Sequence, residues 1–355
     1  MRGKNMLFSA AVILLVLGSP VFAYREVIDL GTLGGTESRA SSINDSGQIV
    51  GYATNSSGYK RACLFDSTGG GANTDLGTLG GNESRAYSIN DNGQVAGYAY
   101  NSSGTQTACR FDSISGGANK NLGGFTAYSI NNGGSIVGNG RTNSPTKPYV
   151  VPYAFMFTNS PYAHTVNLGG GYAYSINNSG KIVGTDGWGA YIFDSTGQGN
   201  NTLLCSGTGA AESINDLGQI VGQHNNRACF FDATGGGANI NLGTISGYGD
   251  SEAIFISDIG QILGGAFNEV NGQLIGHACL FDATGQGNNI DLNTLIDPSS
   301  GWILKEASCI NNNGWIVGYG TYNGIDQAFL LTPEPASALI MAVGAVIAAS
   351  RRRRR

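Results

Sequence analysis

Three glutamates and three tyrosines offer the most chemistry in this chain. Glu212, Glu252 and Glu306 stand on segments that otherwise carry mainly Ser, Ala and Tyr. Two carboxyl groups about 5–10 Å apart can act as the acid and the base of a glycosidase. Tyr87, Tyr128 and Tyr174 each stand two residues before a recurring Ile. Aromatic faces at repeated positions can stack on sugar rings, or can pack one repeat against the next. No nucleophile–base motif accompanies them, so no catalytic residue is assigned and a non-enzyme is expected. His164, His224 and His277 are the only histidines and have no close Cys or His neighbour of metal-ligand spacing. No metal and no cofactor are expected.

The recurring Ile belongs to a nine-residue marker, Ile-Asn-Asp/Asn-x-Gly-x-Ile-Val-Gly. It begins at Ile43, Ile89, Ile130, Ile176, Ile214, Ile256 and Ile310, with spacings of 46, 41, 46, 38, 42 and 54 residues. That period is the size of one four-stranded propeller blade, roughly 40–50 residues. Ala stands three before the Ile in every copy, from Ala40 to Ala307, and Gly stands four after it, from Gly47 to Gly314. The Ser-x-Ala-x-x-Ile segment reads as the innermost strand, where small side chains suit crowding toward an axis. Asn-Asp-x-Gly reads as a tight hairpin turn held by side-chain to backbone hydrogen bonds. It lacks the spaced acidic ligands of a calcium loop. Ile-Val-Gly-Tyr and Ala-Cys-Leu-Phe read as the second and third strands, and Asp-Leu-Gly-Thr-Leu as the fourth.

The first fourth-strand copy, Val27–Leu33, precedes the first full unit, and the last unit stops after Gln327–Leu331. The expected fold is therefore all-β, a seven-bladed propeller over residues 24–332 closed by its N-terminal strand. Such closure leaves no long exposed sheet edge. Composition agrees. Gly supplies 57 of 355 residues, about 16% against a usual 7% or so. That argues against a helical protein, and collagen is excluded because the glycines have no three-residue period. Charged residues are only 12% while hydrophobic ones are 41%, which excludes charge-driven disorder.

Four of the six cysteines, Cys63, Cys109, Cys229 and Cys279, hold one position in four different repeats. Equivalent points on different blades lie beyond the roughly 7 Å limit for a disulfide. They read as buried small hydrophobes, with Cys205 and Cys309 out of register.

Both ends read as addresses, and hydrophobic helical segments are expected to flank the propeller. Residues 1–23 have the build of a secretory signal peptide: Arg2 and Lys4, an apolar stretch from Met6 to Gly18, then small residues ending at Ala23. Residues 333–355 carry Pro333-Glu334-Pro335, an apolar stretch at Ala336–Ala349, and Arg351, Arg352, Arg353, Arg354 and Arg355. A short apolar run followed by a basic clamp suits a transient membrane anchor. Without these ends, residues 24–332 hold 12 basic against 23 acidic side chains, a net charge of −11 beneath the −5 of the whole chain. That acidity disfavours nucleic acid.

The C-terminal arrangement resembles the PEP-CTERM sorting signal of Gram-negative bacteria. The resemblance implies processing by an exosortase-type transpeptidase and a host that makes exopolysaccharide and biofilm. The third-strand segments Tyr153-Ala154-Phe155, Gln327-Ala328-Phe329 and His277-Ala278-Cys279 resemble the HAF family of extracellular repeats, with the His kept only at His277. That resemblance implies a secreted repeat protein and assigns no chemistry. The expected function is an exported, envelope- or matrix-associated propeller with a structural, adhesive or binding role. The alternatives are a glycan-binding module using Tyr and Asn at one rim and, third, a polysaccharide hydrolase or lyase.

Overall fold

A computed structural model describes residues 24–112, 117–142, 151–158 and 165–333. They form a seven-bladed β-propeller of seven four-stranded antiparallel sheets. The only helical turn among them is the 3-10 segment Leu292–Leu295. The innermost strands are Gly34–Ile43, Gly80–Ile89, Thr126–Ile130, Tyr172–Ile176, Gly209–Ile214, Asp250–Ile256 and Trp302–Ile310. Each ends on the marker Ile, as the repeat predicts. The apolar runs of 1–23 and 334–355, and with them the expected flanking helices, lie outside the described residues. No helix among the described residues is long and apolar enough to cross a membrane.

The repeat becomes a blade because its constant residues pack at constant places. The marker Ile and the Ile six residues later sit in the core, for example Ile43 at 5% and Ile49 at 0% exposure. The third strand contributes Ala62 and Phe65 in the first blade and Ala228 and Phe231 in the fifth. Leu30, Leu76, Leu122, Leu168, Leu204, Leu242 and Leu292, the Leu of each Asp-Leu-Gly copy or its equivalent, are all buried. The six cysteines are buried and unpaired. Four occupy the third-strand position held elsewhere by Phe155 and Phe329, and burial pushes the Cys109 and Cys229 thiols up to about 12. Cys205 stands where other units have the Gly after Leu. Cys309 stands where other inner strands have Ser, and donates its thiol to the Ile43 carbonyl at 3.7 Å.

The fourth strands end earlier than the Asp-Leu-Gly-Thr-Leu pattern predicts. The first runs over Tyr24–Asp29, not Val27–Leu33, and that of the first full unit is only Thr74–Asp75. Asp29 Oδ1 accepts the Gly31 N–H at 2.8 Å, and Gly31 has a φ of 68°. That local turn, open to Gly at low cost, swings the chain out of the sheet just after Leu30 enters the core. Residues 26–29 pair antiparallel with Phe329–Thr332.

The Asn-Asp turns do more than close their own hairpins. Asn44 Oδ1 accepts the Gln48 N–H within its turn, while Asn44 Nδ2 donates to the Asn90 carbonyl of the next blade at 3.1 Å. The same side-chain bond runs from Asn90 to Asn131, Asn131 to Asn177, Asn177 to Asn215, Asn215 to Ser257, and from Asn311 back to Asn44. A second ring lies beside it. The N–H of Asp45, Asp91, Asn132, Asn178, Asp216 and Asn312 each donates to the Asp or Asn side chain at the same position of an adjacent blade. A third, longer set of bonds joins Ser42, Ser88, Ser129, Ser175 and Ser213 to the next marker Ile. The turn side chains thus tie neighbouring blades together. Among the described residues, only the step from the sixth to the seventh blade lacks all three bonds. There Phe255 and Ser257 replace the Ser and Asn, and Phe255 packs against the apolar clusters flanking that step.

Candidate functional site

Each innermost strand carries an extra residue two before its marker Ile. In the first blade Ala40 pairs with Gly51 and Ser42 with Val50, so Ser41 has no partner in the register. The same shift leaves out Tyr87, Tyr128, Tyr174, Glu212, Ile254 and Ser308. This is a β-bulge repeated seven times, and bulges re-aim the side chain they insert. Tyr87, Tyr128, Tyr174 and Glu212, singled out in the sequence, are thus four copies of one bulge position.

The bulge residues turn into an axial cavity of about 520 Å³. Tyr87, Tyr128, Tyr174, Glu212 and Glu306 line it, and Glu252 does not. Glu252 lies behind the wall, close enough to both Glu212 and Glu306 to act on their carboxyls. Among the described residues no group of three His, Cys, Asp or Glu side chains comes close enough to hold a metal ion. Pro333 ends the last strand with Tyr24 as its register partner. Glu334, Pro335 and Arg351–Arg355 lie outside the described residues.

The tyrosines form an arc along the cavity wall. The rings of Tyr87 and Tyr128 are 5.7 Å apart, and those of Tyr128 and Tyr174 are 5.3 Å apart in an edge-on arrangement. Tyr98 extends the arc beside Tyr87 at 6.0 Å, and Tyr172 stacks on Tyr174 at 6.0 Å. Both readings of these residues meet here: the rings pack blade against blade, and their half-buried faces line the cavity. Burial pushes their phenols upward, so they stay neutral donors.

Two cations overlooked in the sequence stand near the arc. Arg39 and Arg85 lie four residues before the marker Ile, the position that Glu252 and Glu306 take in the sixth and seventh blades. Aligning all seven inner strands by the marker would have exposed them. Arg39 sits 3.7 Å over the Tyr319 ring and reaches Asp326 at 3.5 Å. Arg85 sits 4.5 Å over the Tyr52 ring. The Tyr52 hydroxyl donates to Glu37 at 2.6 Å, and Lys60 reaches the same carboxylate. The cavity wall is therefore uneven, with Arg39 and Arg85 on the first two blades, Tyr at the bulge of the second to fourth, and Glu212 and Glu306 on the fifth and seventh.

Burial, with Glu252 nearby, raises the Glu212 carboxyl to about 8. Burial and Glu252 together raise Glu306 to about 7, opposed by Arg39 and by the Ser308 hydroxyl. Glu252 is raised by burial alone. Glu212 keeps some solvent contact along the cavity, which offsets part of the penalty. Below the ordinary value of 4.5 its carboxyl is protonated in folded and unfolded chains alike. Between there and about 8 the unfolded chain gives up the proton while the folded one keeps it, so stability falls as pH rises through that window. Glu212→Gln is expected to leave stability unchanged at pH 4.5 and to raise it by about 1–3 kcal/mol at pH 8.5. Urea unfolding at the two pH values checks this, and an equal loss at both would contradict it.

No protein-family model, no curated protein and no solved structure matches this chain.

Proposed function

We propose that this chain is an exported, non-enzymatic propeller that works at the cell envelope or in the extracellular matrix as a structural and binding unit. The observation that carries the reading is the use of the repeated polar side chains. Asn, Asp and Ser at equivalent turn positions are spent on bonds between blades. They are scaffold rather than reaction machinery. The pairing of residues 26–29 with Phe329–Thr332 supports closure of the ring by the N-terminal strand. A ring fastened by both ends of one chain suits a protein working outside the cell.

The address rests on the two ends of the sequence. The reading includes removal of residues 1–23, membrane anchoring through the C-terminal segment, and processing there by an exosortase-type transpeptidase. Deleting Arg351–Arg355 is expected to change the mature mass or the fraction in which the protein is found. Mass spectrometry of envelope and medium fractions checks this, and an unchanged mass and location would refute it. The tyrosine arc in the cavity favours a glycan-binding role, with extracellular polysaccharide as the partner.

A further inference from the structure

The seven blades share the residues that join them and differ in the residues facing the axis. Bulge positions carry Ser, Tyr, Tyr, Tyr, Glu, Ile and Ser, and the positions two residues earlier carry Arg, Arg, Thr, Tyr, Ala, Glu and Glu. The fold needs no such variety, because every blade has the same backbone there. The unequal wall gives the cavity a direction across its width that a seven-fold scaffold alone would lack.

Its cationic side has spare capacity. Both Arg39 and Arg85 line the cavity, and the Nε of each is buried with no hydrogen-bond partner. Arg39 is held by Asp326 and lies within 4.0 Å of Glu37. Among the described residues no carboxylate lies within ion-pair distance of Arg85, whose neighbours are the Tyr52 ring and the Tyr87 hydroxyl. A guanidinium fork matches a carboxylate's two oxygens. Beside Arg85 begins the arc of Tyr rings, and aromatic faces of this kind accept the apolar face of a sugar ring. Across the cavity stands Glu212, a group able to meet hydroxyls, while Glu306 lies beside Arg39. A volume of 520 Å³ is within the range of small-molecule sites, about 300–1,000 Å³.

We propose that the channel binds a carboxylated saccharide, with its carboxylate on Arg85 and Arg39 and its ring on Tyr87 and Tyr128. This rests on the glycan-binding reading and names its ligand class. One bound anion is favoured over a polyanion, because Glu212 and Glu306 line the same cavity.

The experiment is calorimetric titration of the mature secreted protein with cellobiouronic acid and with its neutral counterpart cellobiose. The acid is expected to bind about ten-fold more tightly, the effect of one charge-assisted hydrogen-bonded contact. Arg85→Gln should bring the acid to the affinity of the neutral sugar. Tyr128→Ala should weaken both. Arg39→Gln, judged by the same ratio, keeps the test decisive where Arg85→Gln fails to fold. Equal affinity of the two sugars for the unaltered protein, or an unchanged ratio in the folded Arg variants, overturns the carboxylate assignment while leaving saccharide binding in place. Binding of neither sugar overturns both.

Discussion

Gly97→Ala is expected to destabilise the protein by about 4 kcal/mol or more, placing it among the exceptional single substitutions. Gly97 pairs with Ala86 directly beside the bulge at Tyr87. A Cβ at Gly97 would be driven into the Arg85 carbonyl group, with Ala86 Cα 3.0 Å away on the same side. Those are backbone atoms of the inner strand, so no flexible side chain can swing clear. The same clash awaits a Cβ at Gly51, Gly138, Gly184, Gly222, Gly264 and Gly318. This is why the marker ends in Gly seven times, although none of these glycines has a positive φ. Close approach demands them. Gly170→Ala is the control, since its Cβ would meet nothing within 4 Å and its φ is not positive. Thermal unfolding followed by circular dichroism should show Gly170→Ala near the parent and Gly97→Ala far below it or insoluble. Near-parental stability of Gly97→Ala would mean that the bulge is not packed this tightly.

Asn90→Ala is expected to cost about 2–4 kcal/mol, because buried groups lose partners on two blades at once. Asn90 is 4% exposed. Its Nδ2 donates to Gln94 Oε1 and to the Asn131 carbonyl, each at 2.8 Å, and its Oδ1 accepts the N–H of Asn92 and Gln94. Alanine keeps none of these bonds and leaves the Asn131 carbonyl with only the Gly134 N–H of its own turn. Ser257, the natural exception, shows what a shorter side chain retains. Its hydroxyl still accepts the Gln261 N–H at 3.0 Å but makes no bond to the seventh blade. Asn90→Ser should therefore recover only the part of the loss that belongs to its own turn. Urea unfolding of the two variants measures both parts, and a cost for Asn90→Ala below about 1 kcal/mol would deny the ring its role in joining blades.

Blade number, inner-strand ends and the buried cysteines were readable because they depend on spacing and residue type. Ile43 and its six equivalents mark one strand end each, and Cys63 shares its place with Phe155. The bulge was not readable. It is a matter of register between two strands, and Tyr87 in the sequence looks like any residue of an alternating strand. The blade-to-blade bonds of Asn44 and Asp45 were hidden for a related reason: their partners stand a whole repeat away, while the Asn-Asp-x-Gly pattern suggests only local bonds. Glu252 and Glu212 look alike in the sequence because both are acidic. They hold different positions relative to the marker Ile, and only Glu212 is a bulge residue. Arg39 and Arg85 went unnoticed because acidic and aromatic residues were compared across repeats and basic ones were not.

The account divides each repeat into residues whose bonds and core packing hold the blades together and one bulge residue whose main part is to furnish the channel. The most direct test is the unfolding of a single variant that gives every blade the Ser found at Ser41 and Ser308. It carries Tyr87→Ser, Tyr128→Ser, Tyr174→Ser, Glu212→Ser and Ile254→Ser. Its far-ultraviolet circular dichroism is expected to match the parent and to be lost in one cooperative transition, despite five substitutions. Collapse of the fold in this variant, as deep as that expected from Gly97→Ala alone, would show that the channel residues hold the propeller together and would contradict the division.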